Sequence, residues 1–413
     1  MHANAQTYTV SDFSGLQTAI TDNNSASGGA IITLGADITL TASLPDITQD
    51  LTIIGGNIGG NSFISGNISY QIFYIGNGAN VTINNLTLMN GYAGSGGAVF
   101  VNSGSSFTAI GCVFSGNTAN YYGGAVDVYG VSSFTAINCE FSNNAVVYGS
   151  GGAVFVSGSS SFTAIECEFS GNDAYYGGGG AVFVNNSSTL YRRNLTFSNN
   201  SSDITNYGTE KELFTLTVDV NSAGYGTAST AFTGTGTGTG KEFDFTEHSK
   251  GKFYTAGSEI TLTATANSGY QFENWKFAGT SGVVSTTASF DFTITKDTTI
   301  TANFAALPTA PSITSQNKKS VTNCKGGSFQ VQASGTTPIT YSITGAPAGV
   351  EIDGTTGKIT IPKDVPIGEH TFTLTAGNGV GSDTQDFTLT VRKCVTHIKG
   401  DVIVNGGTLI IGK

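Results

Sequence analysis

The sequence predicts an all-β protein, a parallel β-helix followed by two small β domains. Three observations carry that prediction. Between residues 96 and 200 one pattern is written four times. It opens on Gly-Gly-Ala-Val at Gly96, Gly123, Gly151 and Gly179, closes on Phe-Ser-x-Asn at Phe114, Phe141, Phe169 and Phe197, and recurs at spacings of 27, 28 and 28 residues. A fixed period of this size means stacked units, each unable to bury its apolar face without neighbours. The unit is rich in Gly, Ser, Thr, Val and Phe and short of helix formers, so it reads as one coil of short strands and tight turns rather than a helical pair. Beyond about residue 210 the period stops and the composition changes, with short strands between turn residues taking over.

At the start of the chain, Ser11 is placed to cap a short helix in which Phe13, Leu16, Ala19 and Ile20 share one face. Such a helix would cover the open end of the first coil, which otherwise exposes unpaired strand edges. Strands are expected at 31–34, 38–40, 51–54, 72–75 and 81–88, separated by turns such as Gly55-Gly56-Asn57 and Gly59-Gly60-Asn61. These are less regular coils of the same solenoid, as terminal repeats tend to be.

Within the regular coils, the glycine pairs supply positive φ at corners where a Cβ would clash. The asparagines tolerate the left-handed region and, stacked coil on coil, form an amide ladder. Cys112, Cys139 and Cys167 alternate with Phe114, Phe141 and Phe169, so both columns should point inward, while Glu140, Glu166 and Glu168 belong in water. The cysteines are expected as small core hydrophobes. No His joins them to complete a zinc site, so neither a metal nor a cofactor is expected.

The Gly-Gly-Ala-Val and Phe-x-x-Asn half-motifs, recurring in order over about residues 80–202, resemble the polymorphic outer-membrane protein repeat of bacterial surface adhesins and autotransporter passengers. The resemblance implies a secreted, right-handed β-helix with adhesive surfaces.

From about residue 210, strands are expected at 214–220, 259–264, 288–294 and 298–303, and the Gly-Thr alternation of 234–240 reads as a flexible loop. Gly-Ser-Glu-Ile-Thr-Leu-Thr-Ala from Gly257, Gly-Tyr-Gln-Phe-Glu-Asn-Trp ending at Trp275, and Ile-Thr-Ala-Asn-Phe ending at Phe304 resemble the divergent internalin-type B repeat. That resemblance spans roughly 212–305 and is broken by an insertion at 232–252. Trp275, the single tryptophan, falls on the family's aromatic position and should anchor a small core. Residues 307–311 form a stiff linker around Pro308 and Pro311. Residues 312–391 alternate as a β-sandwich does. Their Ala-Pro-Ala-Gly-Val-Glu-Ile-Asp and Thr-Thr-Gly-Lys-Ile-Thr segments resemble the immunoglobulin-like modules of bacterial surface proteins.

Cys324 and Cys394 bracket this module. In an exported protein they either form a disulfide, which the chain-entropy model values at roughly 4 kcal/mol for such a loop, or remain two thiols. Sequence alone does not bring their strands together. The tail at 400–412 reads as two strands around a Gly-Gly turn and resembles the opening of another solenoid. The expected divisions are 1–209, the β-helix with its cap; 210–306, the B-repeat-like domain; 307–394, the immunoglobulin-like sandwich; and 395–413, a tail.

Charge excludes one class of partner. The chain carries a formal −11. Residues 1–210 hold twelve acidic side chains against two basic ones, Arg192 and Arg193, so no nucleic-acid groove is expected. No apolar run is long enough to span a bilayer as a helix. The first residues lack a signal core, and the last lack a β-barrel or wall anchor, so the chain is expected to be a mature fragment of something larger.

Parallel β-helices include polysaccharide lyases and glycosidases, which makes a polysaccharide-degrading enzyme the alternative reading. Glycosidases flank a groove with two carboxyls. Glu140 and Glu168 align on neighbouring coils, yet as a solvated face. The arginines lie away from Asp127, Glu140, Glu166 and Glu168. None of His2, His248, His370 and His397 lies near another in sequence or beside a Ser or Cys motif, and no phosphate loop is found. No catalytic residue is expected.

The expected binding surface lies on one flank of the solenoid. After each Gly-Gly-Ala-Val motif comes Phe100, Asp127, Phe155 or Phe183 and then a valine. Strand alternation puts the valines on one face and the Phe or Asp on the other. An unpaired Asp127 in the core would cost several kcal/mol, so the valines should face in and the aromatic column outward. Tyr92, Tyr121, Tyr122, Tyr148, Tyr175 and Tyr176 fall at the preceding turns. Clustered surface aromatics mark an interaction site or a covered surface. The expectation is a cell-surface or secreted adhesin whose flank, with Phe100, Tyr122, Asp127, Tyr148, Phe155, Tyr176 and Phe183, takes a glycan or protein partner.

Overall fold

A computed structural model describes residues 6–26, 28–56, 62–233, 240–246, 251–394, 404–405 and 408–409. The chain forms two compact units, one made of residues 1–221, 228–265 and 274–303, the other of 222–227, 266–273 and 304–413.

The first unit begins with the parallel β-solenoid. Each regular coil contributes strands to three long parallel sheets and a shorter fourth. The first sheet takes Ser106–Ile110, Ser133–Ile137 and Ser161–Ile165; the second takes Val113–Ser115, Glu140–Ser142 and Glu168–Ser170; the third takes Val99–Val101, Val126–Val128, Val154–Val156 and Val182–Val184. Residues of like position pair in register from coil to coil, Phe107 with Phe134 with Phe162 and Val99 with Val126 with Val154.

Register turns sequence columns into physical ones. Phe114, Phe141, Phe169 and Phe197 stack at 4.7, 4.8 and 5.3 Å between centroids, close to the strand spacing of roughly 4.8 Å. Phe107, Phe134 and Phe162 form a second fully buried stack at 5.0 and 4.9 Å. The amide ladder is present. Asn117 Nδ2 donates to Asn144 Oδ1 at 2.9 Å, Asn144 Nδ2 to Asn172 Oδ1 at 3.0 Å, and Asn172 Nδ2 to Asn200 Oδ1 at 3.0 Å. Left-handed backbone is carried by other asparagines, among them Asn85, Asn138 and Asn143. In each glycine pair the first member has positive φ, between 60 and 77°. The second has no room for a Cβ, which at Gly97 would sit 2.3 Å from the Gly124 carbonyl oxygen.

The solenoid begins with Gln6–Val10 and the helix Phe13–Ser25. Asp12, not Ser11, is the N-cap, because its Oδ1 accepts from Gly15 N at 2.7 Å. Leu16, Ala19 and Ile20 are buried on one face, as the pattern requires. The run expected at 81–88 is two strands, Asn80–Asn84 and Leu86–Met89, because Asn85 turns the corner in the left-handed region. Ser62–Ser65 is an additional strand. The turn residues 57–61 and the Gly-Thr run at 234–239 lie outside the described residues, as do His2, His248 and His397.

Thr209–Val220 pairs parallel with Thr189–Arg193 of the last regular coil and, further along, with Thr298–Ala306. One strand therefore runs from the solenoid into the next sheet, and the division expected at 209/210 falls at its beginning. The insertion contains a hairpin, Glu242–Phe245 with Gly251–Thr255, that packs Phe253 with Ile165 and Leu213. Arg193 adds a bidentate pair with Asp297, at 2.7 and 3.0 Å, and Arg192 pairs with Glu210. Trp275 is fully buried, and its indole donates to the Thr287 carbonyl.

In the second unit a four-stranded sheet, ordered Lys318–Thr322, Ser382–Arg392, Gly368–Gly377 and Thr340–Thr344, accompanies a three-stranded one of Gly327–Gln330, Lys358–Ile361 and Glu351–Ile352. Val331, Ile359, Phe372, Leu374, Phe387 and Leu389 form their shared core. Cys324 and Cys394 are joined as a disulfide, with Cα atoms 5.8 Å apart. In the tail, Val404–Asn405 pairs antiparallel with Thr408–Leu409.

Candidate binding surface on the solenoid flank

The third sheet positions the flank. Its valines Val99, Val101, Val126, Val128, Val154, Val156, Val182 and Val184 are all fully buried in the solenoid core. Alternation then forces the residues between them to the other face, where register stacks Tyr74, Phe100, Asp127, Phe155, Phe183 and Thr205 as one column. Sequence reasoning missed Tyr74 at the head of the column. Its coil lacks the Gly-Gly motif, so only pairing with Phe100 reveals it.

The column faces away from the core, but it is not open to solvent as expected. Phe155 is 5% exposed and Asp127 4%, while Phe100 and Phe183 are half-buried. The rings cover one another. Phe155 stacks on Phe183 at 5.3 Å, Tyr74 meets Phe100 edge-on at 5.3 Å, Tyr122 lies on Phe155 at 4.4 Å, and Tyr207 approaches Phe183 at 5.6 Å. Aromatic area that the solenoid core cannot take is removed from water by the tyrosines of the neighbouring turns.

Those tyrosines form the exposed surface. Tyr92, Tyr121, Tyr122, Tyr148, Tyr175, Tyr176 and Tyr207 are all exposed. Tyr121, Tyr148 and Tyr176 follow one another at 6.5 and 6.2 Å, and Tyr175 meets Tyr176 edge-on at 4.6 Å. Tyr92 donates from its hydroxyl to Asn120 Oδ1.

Asp127 is the polar exception within the column. Burial pushes its carboxyl up to about 8, against a smaller lowering by a hydrogen bond with Ser95. Its Oδ1 has no hydrogen-bond partner among the described residues.

The other residues weighed for chemistry are placed as follows. Glu140 and Glu168 pair in register and are both exposed. Arg192 and Arg193 are held in the ion pairs above. His370 Nε2 lies 2.7 Å from the Pro366 carbonyl oxygen. The column cysteines are buried, and Cys139 donates from Sγ to the Ala109 carbonyl at 3.3 Å. Burial pushes the Cys112 and Cys139 thiols up, which keeps them protonated and inert. Among the described residues no group of His, Cys, Asp and Glu is arranged to hold a metal ion, and no helix is long and apolar enough to cross a membrane.

Fold and surface together define an all-β modular repeat protein, a β-solenoid with an aromatic flank continued by small β modules. The Chlamydia polymorphic membrane protein repeat matches residues 111–128, the divergent InlB B-repeat domain 216–308, and the He_PIG Ig domain 309–392. Modules of these kinds are typical of surface or secreted bacterial proteins. No curated protein matches the chain. Among solved structures, a Bacteroides fragilis protein described as an alpha-galactosidase is 26% identical over 20% of this chain and 18% of its own, with a TM-score of 0.20. A second protein from that organism, described as an alpha-galactosidase/melibiase, is 27% identical over 20% and 18%, also at 0.20. The I-band fragment of titin is 11% identical over 44% of this chain and 65% of its own, at 0.20. The chain thus spans 18% of the length of the two galactosidase-described proteins.

Proposed function

We propose that the chain is a non-catalytic adhesin or stalk of the cell surface or of secreted material, and that the tyrosine-edged flank of its solenoid takes a glycan or protein partner. The exposed tyrosine array carries this reading. Seven tyrosines gathered along one edge of a solenoid remain in water, beside a column of rings already packed together. Aromatic side chains with a polar tip are the residue type that binding surfaces concentrate. Glu140 and Glu168 lie side by side in one sheet, which supports binding rather than hydrolysis, since a glycosidase needs two carboxyls facing each other across a groove.

The test is Tyr148→Ser combined with Tyr176→Ser. These rings are 65% and 70% exposed, so the melting temperature should stay within about 2 °C of the parent, as for surface changes generally. Binding to a glycan array, to matrix proteins or to cells should fall at least tenfold. Retained binding would overturn the assignment of this flank. Release of reducing sugar or unsaturated product from a polysaccharide panel would overturn its non-catalytic character.

A further inference from the structure

The flank column is interrupted at one rung, where one carboxyl oxygen has no hydrogen-bond partner among the described residues although the carboxyl also bonds with Ser95. Asp127 sits in register between Phe100 and Phe155. It is 4% exposed, and its Oδ1 accepts no hydrogen bond among the described residues. The equivalent position in the other three regular coils is Phe100, Phe155 or Phe183. A phenylalanine there would complete the ring stack. The aspartate instead leaves a buried acceptor unsatisfied, an arrangement that costs stability and calls for a donor.

The surroundings specify which donor. The faces of aromatic rings attract cations, and Phe100, Phe155 and Tyr122 supply three rings around or beside this rung. Among the described residues no charged group bears on the carboxyl, whose polar contact is the hydrogen bond with Ser95. Arg192 and Arg193, the two basic side chains of residues 1–210, are engaged with Glu210 and Asp297. The twelve acidic residues of that stretch give the solenoid a field that draws cations and repels anions. A neutral hydroxyl would satisfy the oxygen but gain nothing from rings or field; an ammonium gains from all three.

Building on the flank reading above, the geometry points to Asp127, with Phe100, Phe155 and Tyr122, as a binding site for the ammonium of a lysine side chain presented by a protein partner. Tyr122 is the ring stacked on the neighbouring Phe155 rung. It is 45% exposed and lies on Phe155, so it can swing into water without opening the valine core. The titratable groups on the two neighbouring rungs are tyrosines, Tyr122 stacked on Phe155 and Tyr74 edge-on to Phe100. Entry of the ammonium converts the carboxyl to carboxylate and releases its proton to solvent. Affinity therefore rises with pH until the free carboxyl is itself ionised.

The probe is Nα-acetyl-lysine methylamide, titrated into the full chain while the side-chain carboxyl carbon of Asp127 is followed by NMR. The ammonium probe should lower the titration midpoint of Asp127 by about one unit or more, a tenfold preference for the ionised form. The same compound acetylated on its ε-nitrogen should leave the midpoint in place. In Asp127→Asn the ring-proton shifts of Phe100 and Phe155 induced by the probe should vanish. An unmoved midpoint, equal movement by the acetylated compound, or unchanged ring shifts in Asp127→Asn would each overturn the proposal. The probe reads the Asp127 rung and the tyrosine variant reads the outer edge, so the two assignments can fail separately.

Discussion

Replacing Asp127 by Asn should stabilise the solenoid at neutral pH and remove a slope from its stability profile. Burial raises this carboxyl from 3.8 to about 8. In the unfolded chain it ionises near the lower value; in the folded chain it stays protonated until the higher one. Between the two the folded state holds one more proton, so stability falls as pH rises. The contribution is fully present below about pH 4 and is lost as pH passes through about 8. At about 1.4 kcal/mol per unit, the loss between pH 5 and pH 8 is roughly 4 kcal/mol. Asn fills nearly the same volume and does not titrate. The advantage of Asp127→Asn should therefore grow from near zero at pH 4 to several kcal/mol at pH 8. Urea unfolding of both proteins at unit steps of pH measures this, because contributions of the other ionisable groups cancel in the difference. Asp127→Phe should gain further at every pH by joining Phe100 to Phe155 in one stack, about 1 kcal/mol beyond the carboxyl effect. A difference between parent and Asn variant that stays constant from pH 5 to pH 8 would refute the raised, buried carboxyl.

Asn144→Ala should break the amide ladder at its middle. It removes two bonds from Asn117 to Asn144 Oδ1 and two from Asn144 Nδ2, to the Phe114 carbonyl and to Asn172 Oδ1. At about 1 kcal/mol each the loss is roughly 4 kcal/mol, and a urea-measured change under about 1 kcal/mol would deny the ladder its role. Denatured but unreduced protein should titrate three thiols, those of Cys112, Cys139 and Cys167, and reduction should raise the count to five. Five before reduction would exclude the Cys324–Cys394 bond, and one would mean that two column cysteines had paired.

The solenoid was legible because each physical column is also a sequence column. The period places Phe114, Phe141 and Phe169 above one another, and strand parity puts the cysteines inside and the valines opposite the Phe and Asp positions. Parity says which side a residue faces but not what lies over it. That is why Phe155, expected in water, is covered: Tyr122, which lies on it, follows a shift of register after Ala119 and not the period of two. Tyr74 escaped for the reverse reason, since its coil shares the pairing register but not the motif. The cap shifted by one residue because Ser11 and Asp12 both offer a side-chain oxygen, and only the backbone placed Asp12 within reach of Gly15. The hairpin at 242–255 read as a departure from pattern, and its packing on Ile165 is a contact across some eighty residues that local sequence does not record.

The two kinds of column explain where this fold can carry specificity. In the asparagine ladder Asn144 and Asn172 each accept from the coil before and donate to the coil after, so one substitution strands groups on two neighbouring coils. The outward column has no such obligation. Val126 and Val128 are fully buried and in register with their neighbours although the residue between them is Asp rather than Phe. Backbone pairing and core packing are satisfied by the valines alone, and the outward position is free to differ from rung to rung. A change there costs stability locally without altering the coil. In a protein whose interior repeats so strictly, chemistry distinctive enough to recognise one partner has to sit at a place where the repeat is broken and the fold is not. Asp127, held between two rings with an unsatisfied oxygen, meets that condition: its cost falls on one rung, and a bound cation would offset that cost at the same rung.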